Sequence, residues 1–236
     1  MKTNILVETE NVKRANKMIS ELLSRPKTEQ RGLGLIYGPP GYGKTRYAEK
    51  TAFSNNWGYL RINATYTPKS FLQAIYQRLN WLINSDESII SGFTSTLENL
   101  CIEMFQSNPE LVIMIDEINL MIMEKKWDVL EIIRDFIDKS FATIILVGEE
   151  DTKKRLKVYN PHYFDRCAFF YKFTKNTKTD LMNIYKNLSN IKITDNLLDY
   201  VHKKTDGNLR QSIKILDYIE KIAKRDNKQI IDIGDL

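Results

Sequence analysis

Gly38-Pro39-Pro40-Gly41-Tyr42-Gly43-Lys44-Thr45, entered from the apolar run Leu33-Gly34-Leu35-Ile36-Tyr37, decides how the rest of this chain is read. The octet satisfies G-x-x-x-x-G-K-[ST] in full. Its glycines let the backbone curl until successive N–H groups face one anion, and a helix beginning at Gly43-Lys44 adds its positive end. Lys44 supplies a point charge to the β and γ phosphates of ATP, and the Thr45 hydroxyl is a magnesium ligand. Arg46 follows in the first helical turn. An accidental glycine-rich turn has no reason to lie between a buried strand and a helix. Gly38, Pro39, Pro40, Gly41, Tyr42, Gly43, Lys44, Thr45 and Arg46 are therefore read as a phosphate cradle.

A second signal lies downstream. Asp116-Glu117 follows the uninterrupted apolar run Leu111–Ile115, a pattern expected of a parallel strand covered on both faces. Carboxylates at the carboxyl end of such a strand face the crevice where open α/β sheets bind ligands. Asp116 is expected to hold magnesium through its water shell. Glu117 is expected to orient and deprotonate the attacking water.

Around these anchors strands and helices alternate. Val12, Ala15, Ile19, Leu22 and Leu23 recur at helical spacing over Thr9–Ser24, and Arg25-Pro26 ends that helix. Tyr59–Ile62 reads as a strand, and Phe71, Leu72, Ile75, Leu79 and Leu82 form an amphipathic stripe. Helices over Phe93–Gln106 and Trp127–Asp138 flank the acidic strand, and Ala142–Val147 and Ala168–Phe173 are further strands. After Phe173 only helices are read, over Thr177–Leu188, Thr194–Lys204 and Asn208–Lys224. The pattern predicts a parallel sheet sandwiched by helices over residues 1–173, with a small all-helical domain over 174–236.

With 35 basic against 30 acidic residues the net charge is +5, compatible with a nucleic-acid partner without requiring one. No apolar run approaches the roughly 20 residues of a membrane span, and Met1–Val7 lacks a signal-peptide pattern, so a cytoplasmic protein without a membrane partner is expected. The two cysteines, Cys101 and Cys167, are read as free thiols. His162 and His202 are isolated from any metal-ligand spacing. Trp57, Trp81 and Trp127 are read as core or interface residues.

The order of these parts resembles the AAA+ ATPases, which implies a P-loop AAA+ core with a C-terminal helical lid. Within that resemblance Asp206-Gly207-Asn208-Leu209-Arg210 looks like the sensor-2 motif, making Arg210 the γ-phosphate sensor. Val147-Gly148-Glu149 places Glu149 at the sensor-1 position, where the family uses Asn, Thr or Ser. An ionised carboxylate cannot donate a hydrogen bond to phosphate, so slow hydrolysis is expected, stimulated by DNA or assembly. Arg166, in Tyr163-Phe164-Asp165-Arg166-Cys167, resembles the finger that completes a neighbouring subunit's site, with Arg155 as second choice. That role implies self-assembly into a ring or filament.

A narrower resemblance, to transposition ATPases of the phage Mu protein B, TnsC and IstB type, rests on four segments. These are Glu10–Arg14, Asn63–Pro68 leading into Phe71-Leu72, Ile145–Glu149 and the turn at Gly207-Asn208. It implies an ATP-dependent protein that polymerises on double-stranded DNA without sequence preference and recruits a transposase. Phosphate contacts would come from the ATPase body itself, at Lys69, Lys125 and Lys126. The alternatives are a replication initiator or helicase loader on the same fold, and a weakly hydrolysing ATP switch that changes assembly state.

Overall fold

Five strands realise the buried apolar runs: Leu33–Tyr37 (β1), Gly58–Arg61 (β2), Val112–Asp116 (β3), Thr143–Gly148 (β4) and Cys167–Lys172 (β5). The computed structural model describes residues 6–27, 30–85 and 93–235. The N-terminal signal-peptide reading therefore falls largely outside the described residues. All neighbouring strands pair in parallel, in the order β2-β3-β4-β1-β5. Strands β3 and β4 are buried along their whole length, which is why they read as unbroken apolar runs. Strand β5 lies at an edge and is mostly half-exposed.

Eleven helices occur among the described residues: Glu10–Leu23 (α1), Lys44–Ser54 (α2), Pro68–Leu82 (α3), Thr94–Ser107 (α4), Asn119–Met123 (α5), Trp127–Lys139 (α6), Thr152–Tyr159 (α7), Pro161–Phe164 (α8), Lys178–Leu188 (α9), Asp195–Thr205 (α10) and Leu209–Arg225 (α11). Thr67 starts α3 with a capping box: its side chain accepts from Ser70 N, and Ser70 answers to the Thr67 N–H. Pro68 then fits the first turn, where its missing N–H costs nothing. The stripe Phe71, Leu72, Ile75, Leu79 and Leu82 is buried in the main core with Leu35, Ile113 and Leu146. Short α5, α7 and α8 leave no pattern in the sequence, because four to eight residues hold too few repeats of a helical period.

The chain groups into two compact units. One holds residues 17–38 and 45–172, with the five-stranded sheet and its core. In it, buried Arg25 closes the turn after α1. Its guanidinium donates to the carbonyls of Leu22 (2.9 Å), Gln30 (3.1 Å) and Ala142 (3.2 Å) and to Thr143 Oγ1 (2.9 Å). Gly32 leaves room for it, since a Cβ there would stand 2.1 Å from Arg25 Nη2.

The other unit holds residues 1–16, 39–44 and 173–236. This differs from a sequential division at residue 173, because two upstream segments are bonded to the C-terminal part. Asn11 exchanges both side-chain hydrogen bonds with the Thr174 backbone, at 2.8 and 3.0 Å. Helices α9, α10 and α11 pack around Leu197, Leu198, Val201, Leu216 and Ile219. The all-helical expectation needs one addition: Lys192–Ile193 (β6) and Ile230–Ile231 (β7) pair as a two-residue parallel bridge. Elements this short carry no alternation for a sequence pattern to show.

Candidate nucleotide site

The octet bends as its residue types demand. Gly41 and Gly43 stand at φ +87° and +98°, a region costly for any residue with a Cβ. The loop ends where α2 begins, at Lys44. Lys44 is buried, and its ammonium donates to the Pro39 carbonyl at 2.8 Å, holding the charge within the curl.

The same unit brings the start of α11 onto this loop. Asn208 Nδ2 donates to the Pro40 carbonyl at 3.1 Å, and the Arg210 N–H donates to the Gly41 carbonyl at 3.0 Å. Leu209 packs over Gly43, whose Cβ would lie 3.3 Å from Leu209 Cδ2. Arg210 itself is exposed. The motif Asp206–Arg210 thus meets residues 40–43 through Asn208, Leu209 and a backbone amide, contacts that spacing alone did not reveal.

At the carboxyl edge of the sheet, Asp116 is 2% exposed, and burial raises its pKa above the usual carboxylate value. Hydrogen bonds from the Thr45 hydroxyl, the Glu117 N–H (2.9 Å) and the Tyr59 hydroxyl (3.1 Å) oppose that rise. Burial beside Asp116 likewise pushes the Tyr59 phenol above its ordinary range. Hydroxyl and carboxylate oxygens suit a hard divalent cation, so Thr45 and Asp116, already bonded to each other, fit magnesium. Glu117 stands at φ +63°, and its carboxylate meets Arg61 Nη2 at 3.0 Å. In the sequence Tyr59 and Arg61 carry no signal beyond their place in a strand. Their reach follows from the β2–β3 pairing, which sets Arg61 opposite Asp116.

Strand β4 lies between β1 and β3, and Glu149 follows its last residue, exposed at that same edge. Its carbonyl accepts from Thr152 N at 3.2 Å. Arg166 lies at the opposite edge, just before β5. There it forms a forked ion pair with Asp138, Nη2 to Oδ2 at 2.7 Å, and donates to the His162 carbonyl at 2.6 Å. These hydrogen bonds hold the Asp138 carboxyl below the usual range. The ion-pair partner is Asp138, from α6, and not the adjacent Asp165. Arg155 pairs with Asp151 at 2.5 Å.

Lys69 and Lys125 are exposed, whereas Lys126 is turned inward onto the loop after β2, donating to the carbonyls of Ala64 and Tyr66. That bonding gives Lys126 a structural task that a lysine facing solvent would lack. Both cysteines are free, and burial pushes their thiols up to about 12, as suits unreactive side chains. Among the described residues no group of three or more His, Cys, Asp or Glu is placed to hold a metal, and no helix is long and apolar enough to cross a membrane.

Residues 27–156, more than half of the chain, match the family model described as AAA domain. The replication factor C large subunit of Thermofilum pendens is 24% identical over 205 residues, covering 86% of this chain and 43% of that protein. Of solved structures, the Aeropyrum pernix ORC1 protein in complex with DNA aligns over 99% of this chain and 64% of its own, at a TM-score of 0.67 and 15% identity. The Thermotoga maritima RuvB Holliday junction branch migration motor aligns over 97% and 67%, at 0.60 and 20%. At these identities the structural likenesses establish the fold, a parallel sheet flanked by helices with a helical C-terminal part. The chain spans less than half the length of the curated relatives it matches. None of these three is a transposition protein, so the narrower resemblance to the phage Mu protein B type gains no support from them.

Proposed function

The chain belongs to the AAA domain family, and on that premise we propose that it is an ATPase that binds and hydrolyses ATP and works on double-stranded DNA in the manner of a replication initiator or helicase loader. The observation that carries the proposal is the buried Asp116 at the end of β3 facing Thr45, which follows the glycine-rich loop at the start of α2. The replication character is supported by the likeness to replication factor C and to ORC1 in complex with DNA.

In this reading the N–H groups of residues 41–46 and the Lys44 ammonium grip the triphosphate, and Arg210 senses the γ-phosphate. Thr45 and Asp116 would hold magnesium, which would supply positive charge to the phosphate oxygens. Glu117 takes the proton of the attacking water, which requires its carboxylate to leave Arg61. Glu149, at the sensor-1 position after β4, offers no donor while ionised, which slows turnover. Arg166 is too far along the sheet to serve its own site, since a six-residue strand spans about 20 Å. As a finger it acts on a neighbouring copy, exchanging Asp138 for phosphate. Lys69, Lys125 and Arg61 supply phosphate contacts to DNA.

Calorimetry with Mg-ATP tests the core of the proposal: wild type binds, and Lys44→Ala does not. Glu117→Gln is expected to bind ATP and DNA but not turn over, and full turnover would remove Glu117 as the base. Arg166→Ala is expected to bind ATP normally with hydrolysis lost, and retained hydrolysis would eliminate the finger. DNA-dependent assembly is read by electron microscopy of protein, long duplex DNA and a non-hydrolysable ATP analogue, where unassembled protein would count against it. Recruitment of a transposase is the second reading, resting on segments Asn63–Pro68 and Ile145–Glu149. A transposase encoded beside this chain, and stimulated by it in strand transfer, would favour it over replication.

A further inference from the structure

We propose that Asn208 is a positioning residue for the phosphate loop, holding the Pro40–Tyr42 peptides in the orientation that a triphosphate requires. The inference rests on the nucleotide-site reading above. One side-chain amide performs two tasks. Asn208 Oδ1 accepts from Gln211 N at 3.1 Å, capping α11, while Nδ2 donates to the Pro40 carbonyl at 3.1 Å. Two residues further on, the Arg210 N–H is satisfied by the Gly41 carbonyl at 3.0 Å, an amide that a helix start ordinarily leaves to solvent or a cap.

The consequence for the loop follows from peptide geometry. A trans peptide is planar, and the C=O of one residue points opposite to the N–H of the next. Fixing the Pro40 and Gly41 oxygens toward α11 turns the N–H groups of Gly41 and Tyr42 to the other face of the loop. Those are donors that an anion there would use. Gly41 permits the approach only as glycine, because a Cβ would lie 2.5 Å from Asn208 Oδ1, on a backbone at φ +87°.

Asn208 is itself held from behind. Asn176 N and Nδ2 both donate to the Gly207 carbonyl, each at 3.2 Å, and Asn176 O lies 2.8 Å from His202 Nε2. Ser212 N and Oγ both donate to the Asn208 carbonyl at 2.9 Å. A Cβ on Gly207 would stand 2.7 Å from Asn176 O, so this turn too is built for close backbone approach. The grip on Pro40 therefore comes from a fixed side chain.

Capping and gripping are separable by one substitution. Aspartate caps a helix as well as asparagine does but has no N–H to give Pro40. Asn208→Asp is expected to stay folded with its α11 cap intact, with a small drop in the unliganded thermal midpoint from the lost Pro40 bond, while weakening Mg-ATP binding by about tenfold. Binding is read by calorimetry, with Lys44→Ala in the same series. Asn208→Asp binding like wild type while Lys44→Ala loses binding overturns the positioning role and leaves the nucleotide reading intact. Unchanged binding by Lys44→Ala overturns the nucleotide reading itself. If Asn208→Asp does not fold, Asn208→Ser, which caps through Oγ but cannot reach Pro40, is judged by the same criterion.

Discussion

Arg61→Ala is the perturbation whose outcome depends most directly on the geometry at Glu117. The Arg61 guanidinium lies 3.0 Å from the Glu117 carboxylate, and the two side chains are 59% and 25% exposed. In water a pair at that distance has a Coulomb energy on the order of 1–2 kcal/mol. Exposure and side-chain entropy reduce the net value to about 0.5–1 kcal/mol. If Glu117 must release Arg61 before it accepts a proton, that energy is part of the barrier, and removing it accelerates turnover about two- to fivefold. The assay is steady-state ATP hydrolysis without DNA, at saturating Mg-ATP. Arg61→Ala is expected to raise kcat by that factor with KM unchanged. The acceleration should vanish in Arg61→Ala/Glu117→Gln, because no base remains to be freed. DNA phosphates that draw Arg61 away would produce the same release in wild type, so stimulation by DNA should shrink in the variant. A kcat at or below wild type, with ATP binding intact, would refute the reasoning and make Arg61 a support for Glu117 instead of a restraint.

Three further outcomes are expected. Arg25→Ala strands the carbonyls of Leu22, Gln30 and Ala142 in a buried turn, and urea unfolding should show a loss of about 2–4 kcal/mol; a loss under half a kcal/mol would contradict the latch. Asp116 has a pKa raised by burial, so the folded chain holds its proton more tightly than the unfolded chain. Stability of the unliganded protein should therefore fall as pH rises from the ordinary carboxylate value through the raised one, and Asp116→Asn should remove that part of the slope. Thermal midpoints measured from acid to neutral pH check this, and parallel profiles for the two proteins would disprove it. Lys125→Ala should weaken DNA binding uniformly across sequences and lower the salt slope by about one, whereas an unchanged slope would remove Lys125 from the interface.

The sequence by itself determined the glycine-rich loop between strand and helix, the acidic strand end and the order of strands and helices along the chain. These are local statements. A glycine-rich turn, an apolar run and a capping box each carry their physical reason within about ten residues. The five core strands and the long helices accordingly fall within a residue or two of their expected limits. Tertiary structure alone decided what lies opposite what. Inserting β4 between β1 and β3 places Glu149 at the same sheet edge as Asp116, and the register of β2 on β3 brings Tyr59 to Asp116 and Arg61 to Glu117. Asp165 is the carboxylate next to Arg166 in the chain, yet the ion-pair partner is Asp138, brought from another helix by packing. Lys126 became a tether for residues 64–66, and Asn208 acquired the Pro40 carbonyl. A side chain's partner across the fold depends on which strands neighbour one another and in what register, and neither is encoded in the periodicity of any single segment.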